Sequence, residues 1–295
     1  MLVSLRNLAI AGMALATTAL TAPAMAAGGY HVMLTPDAAA RLGRVPHAPT
    51  SGAMEYFGGS VFAKVNVVSV MWGSNVNSQT VAGMPGYFTA IVNSTYVDQL
   101  SIYDTKGVKG IGGHKGKNNI ARGKFFGQVV ITPKNTSTSL QDSDIQKELA
   151  YQIKKGKLPA QNPNTLYMIF FPQNVSITLD GLRSCVDFGA YHFSSSTTPV
   201  KTNIFYGVMP DCGYSFNSHT IVSAHEFAEA TTDNIPTPGS DPAYPQAWNT
   251  SDGFEIGDLC EGTQGNLVAG KTTYLVQELY LNNIAGCGTA NFTSP

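Results

Sequence analysis

Val65-Asn66-Val67-Val68-Ser69-Val70-Met71-Trp72 is β-branched and almost wholly apolar, so it suits a strand buried on both sides rather than one that wets alternate residues. That requirement dictates layers. Phe125–Thr132, Leu166–Phe171 and Ile204–Met209 read as further strands, the last two stopped by Pro172 and Pro210. Between the first two, Pro85 is placed to open a helix containing Tyr87, Phe88, Ile91 and Val92 on one face. A second helix has Ser139 and Asp142 at capping-box spacing, a stripe of Ile145, Leu149 and Ile153, and Gly156 to end it. The expected fold class is therefore α/β, with a mixed sheet and one domain over residues 59–295. Residues 27–58, rich in Ala, Gly, Pro and Thr, read as an irregular N-terminal arm.

The chain begins with Arg6, an apolar run from Leu8 to Leu20 and then Ala24-Met25-Ala26, the small-x-small pattern of a signal peptide cleaved before Ala27. The run falls short of the roughly 20 apolar residues that cross a bilayer, and no later run is longer. The mature chain is expected to be secreted, extracellular or periplasmic, and monomeric. In an oxidising compartment the four cysteines favour disulfides, and the sequence neighbours Cys185–Cys212 and Cys260–Cys287 are the expected pairs, pinning the C-terminal loops. A four-cysteine zinc site has no CxxC to support it.

The 18 Lys+Arg and 19 Asp+Glu among 295 residues leave no basic excess for nucleic acid, and 43% hydrophobic residues exclude a disordered chain. Lys106–Lys124 concentrates five Lys and Arg122 among six Gly. It fails as a phosphate loop, because Gly116-Lys117 is followed by Asn118 and the required first Gly is Ile111, so it reads as a long solvated loop.

Chemistry concentrates in one helix, expected from a cap at Asn217 or Ser218 and with Ile221, Ala224 and Ala228 facing the sheet. His225 and Glu229, one turn apart, can converge on one ion, and Glu226 can reach a water on it. This is the HExxH geometry with a carboxylate as the second ligand. Zinc accepts carboxylate oxygen, at a cost in Lewis acidity, and calcium is the alternative ion. Glu255 and Asp258 are candidates for a third metal ligand and a partner behind His225. His192 is a further candidate, as a ligand or as a catalytic stabiliser of a developing oxyanion. His31, His47 and His114 read as ordinary exposed histidines, and His219 lies on the wrong face. No GxSxG supports a serine hydrolase.

The segments Ser223–Asp233, Ala247-Trp248, Glu255–Gly262 and Val276–Tyr280 resemble the exordium, or phosphate-induced-protein, family and its bacterial secreted relatives. The strand Val67–Gly73 after Gly58-Gly59 is similar too. Family members in plants are extracellular wall-associated proteins linked to growth control. The helix motif is similar to that of zincins, in which a mixed sheet precedes the metal helix. That likeness implies His225 and Glu229 as ligands, Glu226 as general base, and Glu255 as third ligand with Asp258 behind it.

The expected function is a zinc-dependent endopeptidase acting on a protein or peptide. Its rival is a non-catalytic binding or signalling protein holding a structural ion. A two-carboxylate polysaccharide hydrolase is a third reading.

Overall fold

The computed structural model describes residues 32–42, 53–196, 202–236, 242–288 and 291–295. The leader, His31 and His47 lie outside them. The strands of the main sheet are, in chain order, β1 (Val32–Leu34), β2 (Lys64–Trp72), β3 (Ala121–Ile131), β4 (Thr165–Phe170), β5 (Phe188–Ser194) and β6 (Phe205–Met209). They lie side by side as β1-β5-β6-β4-β2-β3. The β6-β4-β2-β3 portion is parallel, and β5 runs antiparallel to both its neighbours, β6 and the edge strand β1.

Both faces are covered, as the apolar strands require. Leu166, Met168 and Phe170 of β4 point into one core, and Tyr167 and Ile169 into the other. The first face carries helices α2 (Ser78–Ile91) and α4 (Phe216–Thr232); the second carries α3 (Asp142–Lys154). A C-terminal antiparallel pair, β7 (Gln264–Ala269) and β8 (Thr272–Gln277), sets β8 against α4. The disulfides Cys185–Cys212 and Cys260–Cys287 are both formed.

Several local expectations change. Pro85 lies inside α2 rather than at its start, because Asn77 caps the helix by accepting from the Gln79 N–H. A proline here deprives the Val81 carbonyl of its helical donor, and the Gln128 Nε2 of β3 supplies a substitute at 3.0 Å. The start of α3 follows Gln141, whose N–H donates to Asp144; Ser139 belongs to a short preceding strand. Helix α4 begins before Asn217, with Ser215 accepting from the Ser218 N–H.

The arm is not irregular throughout, since Val32–Leu34 extends the sheet against β5 and Pro36–Leu42 forms a helical segment. The glycine-rich segment is shorter than expected, because β3 already begins at Ala121. Its glycines serve close packing: a Cβ on Gly110 would lie 2.4 Å from the Gly58 nitrogen, and one on Gly116 2.3 Å from Thr105. His114 is exposed and stacks on Tyr244.

Candidate metal centre

Helix α4 is pressed between the sheet and β8, so a side chain on either flank is buried even when it is polar. His225, Glu226 and Glu229 are 0%, 0% and 2% exposed. Burying such groups is costly unless something compensates them, which makes their partners the central question.

His225 and Glu229 meet across one helical turn, with Nε2 and Oε2 3.0 Å apart. The other nitrogen of His225, Nδ1, lies 3.1 Å from Gln277 Oε1 on β8. Gln277 Nε2 donates to the Gly257 carbonyl at 2.7 Å, which fixes the amide orientation and makes Oε1 an acceptor. His225 therefore carries its hydrogen on Nδ1 and turns the ligand nitrogen, Nε2, inward. This is the outer partner that orients a metal-binding imidazole.

The 255–260 loop completes this side. The Gly257 and Asp258 N–H groups each donate to Glu229 Oε1 at 3.1 Å, leaving Oε2 to face the histidines. Asp258 Oδ2 accepts from the Glu255 N–H, and its Oδ1 lies 3.9 Å from His225 Nε2. Glycine at 257 is a steric requirement, since a Cβ there would lie 2.7 Å from both Glu229 Oε1 and His225 Nδ1. The Cys260–Cys287 disulfide anchors the end of this loop.

A second imidazole comes from the sheet. His192 on β5 is 1% exposed and sits beside Gly207 of β6. Its Nε2 lies 3.1 Å from the Asp233 carbonyl, so that nitrogen donates and Nδ1 faces the carboxyls of the helix. Nδ1 is 3.2 Å from Glu226 Oε2 and 3.8 Å from Glu229 Oε2. Glu255 approaches His192 rather than His225, with its Oε1 3.7 Å from Nε2. Glu226 thus leans toward the β5 histidine, and its Oε1 is buried without a hydrogen-bond partner.

Two sets of donors result: His225, Glu229 and Asp258, and His192, Glu229 and Glu255, each with ligand atoms within 4.8 Å of one another. These buried His/Glu groups can hold a metal ion. The donors are imidazole and carboxylate, a combination suited to zinc and manganese.

The electrostatics of the cluster are those of acids crowded together away from solvent. Burial pushes the Glu226 carboxyl well above its usual range; His225 opposes that rise while Glu229 and Asp258 add to it. Burial also raises Glu255 strongly, reinforced by Glu229, Asp233 and Asp258. For His225, burial disfavours the charge, but Glu229, Glu226 and Asp258 outweigh it and raise its pKa well above the ordinary value. A bound metal ion would displace those protons, because ligands must be deprotonated.

Gln277, Gly257 and Asp233 are the contributors that sequence reasoning left without a role. No local spacing marks them, since Gln277 is 52 residues from His225. His219 stays apart, buried near Asp211 with Nε2 4.0 Å from its Oδ1. The centre reaches the surface at Asp258, whose side chain is 20% exposed. Gln277 also lines a cavity of about 460 Å³ shared by Met33, Tyr214, Ile221 and Glu261.

No protein-family model, curated protein or solved structure matches the chain. Among the described residues, no helix is long and apolar enough to cross a membrane.

Proposed function

We propose that this chain is an exported, exordium-like, metal-dependent endopeptidase with a zincin-like arrangement of helix and sheet. The signal-like leader and the two disulfides favour an oxidising compartment outside the cytoplasm. The carrying observation is Glu226, a fully buried carboxyl with one oxygen lacking a hydrogen-bond partner and the other 3.2 Å from His192, beside two groups of candidate metal-binding side chains. A carboxyl so placed is a candidate for moving protons rather than for holding the fold together.

His225, Glu229 and Asp258 would hold the ion, zinc being the reference choice. A divalent ion there would supply Lewis acidity toward a carbonyl and lower the pKa of a water. Glu226 would be the general base of such a site, the group that accepts a proton from water and donates one to the departing amine. Gln277 would keep the His225 ring in its ligand orientation, and His192 Nδ1 lies beside Glu226 Oε2 at 3.2 Å. The cavity beside Gln277 has room for substrate and an apolar wall from Met33, Leu34 and Ile221. Glu229, where zincins carry a second histidine, lowers the Lewis acidity and suits a slower enzyme.

The test is Glu226→Gln assayed with chelator-sensitive casein digestion and elemental analysis. The expected result is unchanged metal content and a rate lower by about 100- to 10,000-fold. A variant that keeps both its metal and its full rate refutes the assignment.

Burial favours a second reading, a structural ion in a non-catalytic binding protein, because His192, His225, Glu229 and Glu255 are all at most 2% exposed. Catalytic sites keep an open coordination position. Bound metal without hydrolysis of any peptide pool would favour that reading, with calcium included among the ions analysed.

A further inference from the structure

We infer that the centre holds two divalent cations bridged by Glu229 Oε2, a second site being formed around His192 and Glu255. The inference rests on the metal-binding reading above and goes beyond its single ion.

The first argument is geometric. Each imidazole has one nitrogen committed to a carbonyl oxygen, His225 Nδ1 to Gln277 Oε1 and His192 Nε2 to the Asp233 backbone. The remaining nitrogens, His225 Nε2 and His192 Nδ1, both lie near the same oxygen, Glu229 Oε2, at 3.0 Å and 3.8 Å, the second of them also 3.2 Å from Glu226 Oε2. Glu229 Oε2 is itself oriented, because the Gly257 and Asp258 N–H groups hold its twin, Oε1. Each side then has its own third carboxylate within 4.8 Å of the other two donors, Asp258 beside His225 and Glu255 beside His192, the latter 3.7 Å from the His192 Nε2. A carboxylate shared by two ligand groups is the arrangement of two-metal sites, whose ions stand about 3.5–4 Å apart.

The second argument is charge. Ligand histidines are neutral. Glu226, Glu229, Glu255 and Asp258 carry four negative charges when ionised, with the buried Asp233 beside them, more than one divalent cation balances. Three of the four carboxyls are at most 2% exposed, so solvent does little to screen an imbalance. The third observation is independent of both: Glu226 Oε1 is buried without a hydrogen-bond partner, 3.2 Å from His192 Nδ1 through its other oxygen. A cation at the His192 side gives that carboxylate an electrostatic counterpart.

The experiment titrates the chelator-stripped full chain with Zn²⁺, counts bound ions after dialysis, and repeats the loading with Mn²⁺ for electron paramagnetic resonance. Two ions per chain and an exchange-coupled Mn²⁺ spectrum are expected. His192→Ala should bind one ion and show the six-line spectrum of an isolated Mn²⁺; should that variant not fold, the wild-type count and coupling decide the matter alone. A wild-type plateau at one ion, with an uncoupled spectrum, overturns the bridge and leaves the single-ion reading standing. No binding overturns both. Two ions retained by folded His192→Ala overturn the assignment of the second site.

Discussion

Asp142 and Glu226 are both carboxyls buried against the six-stranded sheet, on opposite faces, and their surroundings differ in kind. Asp142 accepts from the Tyr191 hydroxyl at 2.7 Å, from Tyr206 at 2.9 Å and from Gln146 Nε2 at 2.7 Å. Its face of the sheet is finished by the chain itself. Glu226 meets His192 through one oxygen and leaves the other without a donor, among further carboxyls. A protein able to build the first environment has the means to satisfy a buried acid. The second environment is therefore read as a place reserved for something the polypeptide does not supply.

The largest expected difference between the faces is in their response to chelation. Stripping metal should remove about 4 kcal/mol of stability when free ion had stood about 1,000-fold above its dissociation constant. For a chain of this size that lowers the melting temperature by on the order of 10 °C, readable by scanning calorimetry with and without chelator. An unchanged melting temperature would erase the contrast. Next, Asp142→Ala should cost about 3 kcal/mol, because it strands two buried tyrosine hydroxyls that now donate to a carboxylate. That loss should be the same with or without metal in urea unfolding; dependence on metal would show that the two faces are coupled.

A smaller effect isolates the outer partner of His225. Gln277→Leu keeps the volume and removes the acceptor for Nδ1, and should weaken metal affinity about 10- to 100-fold by competition with a chromogenic chelator. An unaltered affinity would show that the ring is held by packing alone.

The subtlest effect is the sign of the pH dependence. In the metal-free protein Glu226 and Glu255 are raised well above their ordinary values, chiefly by burial, and burial takes Asp233 from 3.8 to about 7. The folded state thus keeps protons that the unfolded chain releases above about pH 4, so these groups make stability fall as pH rises toward 7 and beyond. His225, also raised, acts in the same direction, while His219, lowered by burial, acts oppositely below its ordinary value of 6.5. Stripped protein should unfold at lower urea at pH 8 than at pH 5, and saturating metal should reverse that order. The same order in both states would contradict the exchange of protons for metal.

How much of this was legible depended on distance along the chain. The buried strands were, because a continuous apolar run such as Leu166–Phe171 encodes two covered faces in itself. Helix α3 was, apart from its cap, where Asp144 reaches Gln141 and leaves Ser139 to a strand. Pro85 misled because its cost is offset by Gln128, a side chain on another element. The same holds at the site: one-turn spacing told of His225 and Glu229, but the Gly257 N–H, the Gln277 amide and the Asp233 carbonyl act through contacts with no sequence period. The Gly-rich segment misled in another way, since a glycine needed for close approach and one giving freedom look alike in a sequence.

The strand Val32–Leu34 borders the cavity beside Gln277 and takes its register from residues far ahead of it, Val32 opposite Tyr191. During synthesis the first described stretch to emerge must wait for a partner made more than a hundred and fifty residues later. Until then β1 has no partner strand, and such unpaired edges invite wrong pairings. Closure of the cavity wall is thus a late event in assembly, and a trimmed N-terminus would leave the histidine-bearing strand as the new rim.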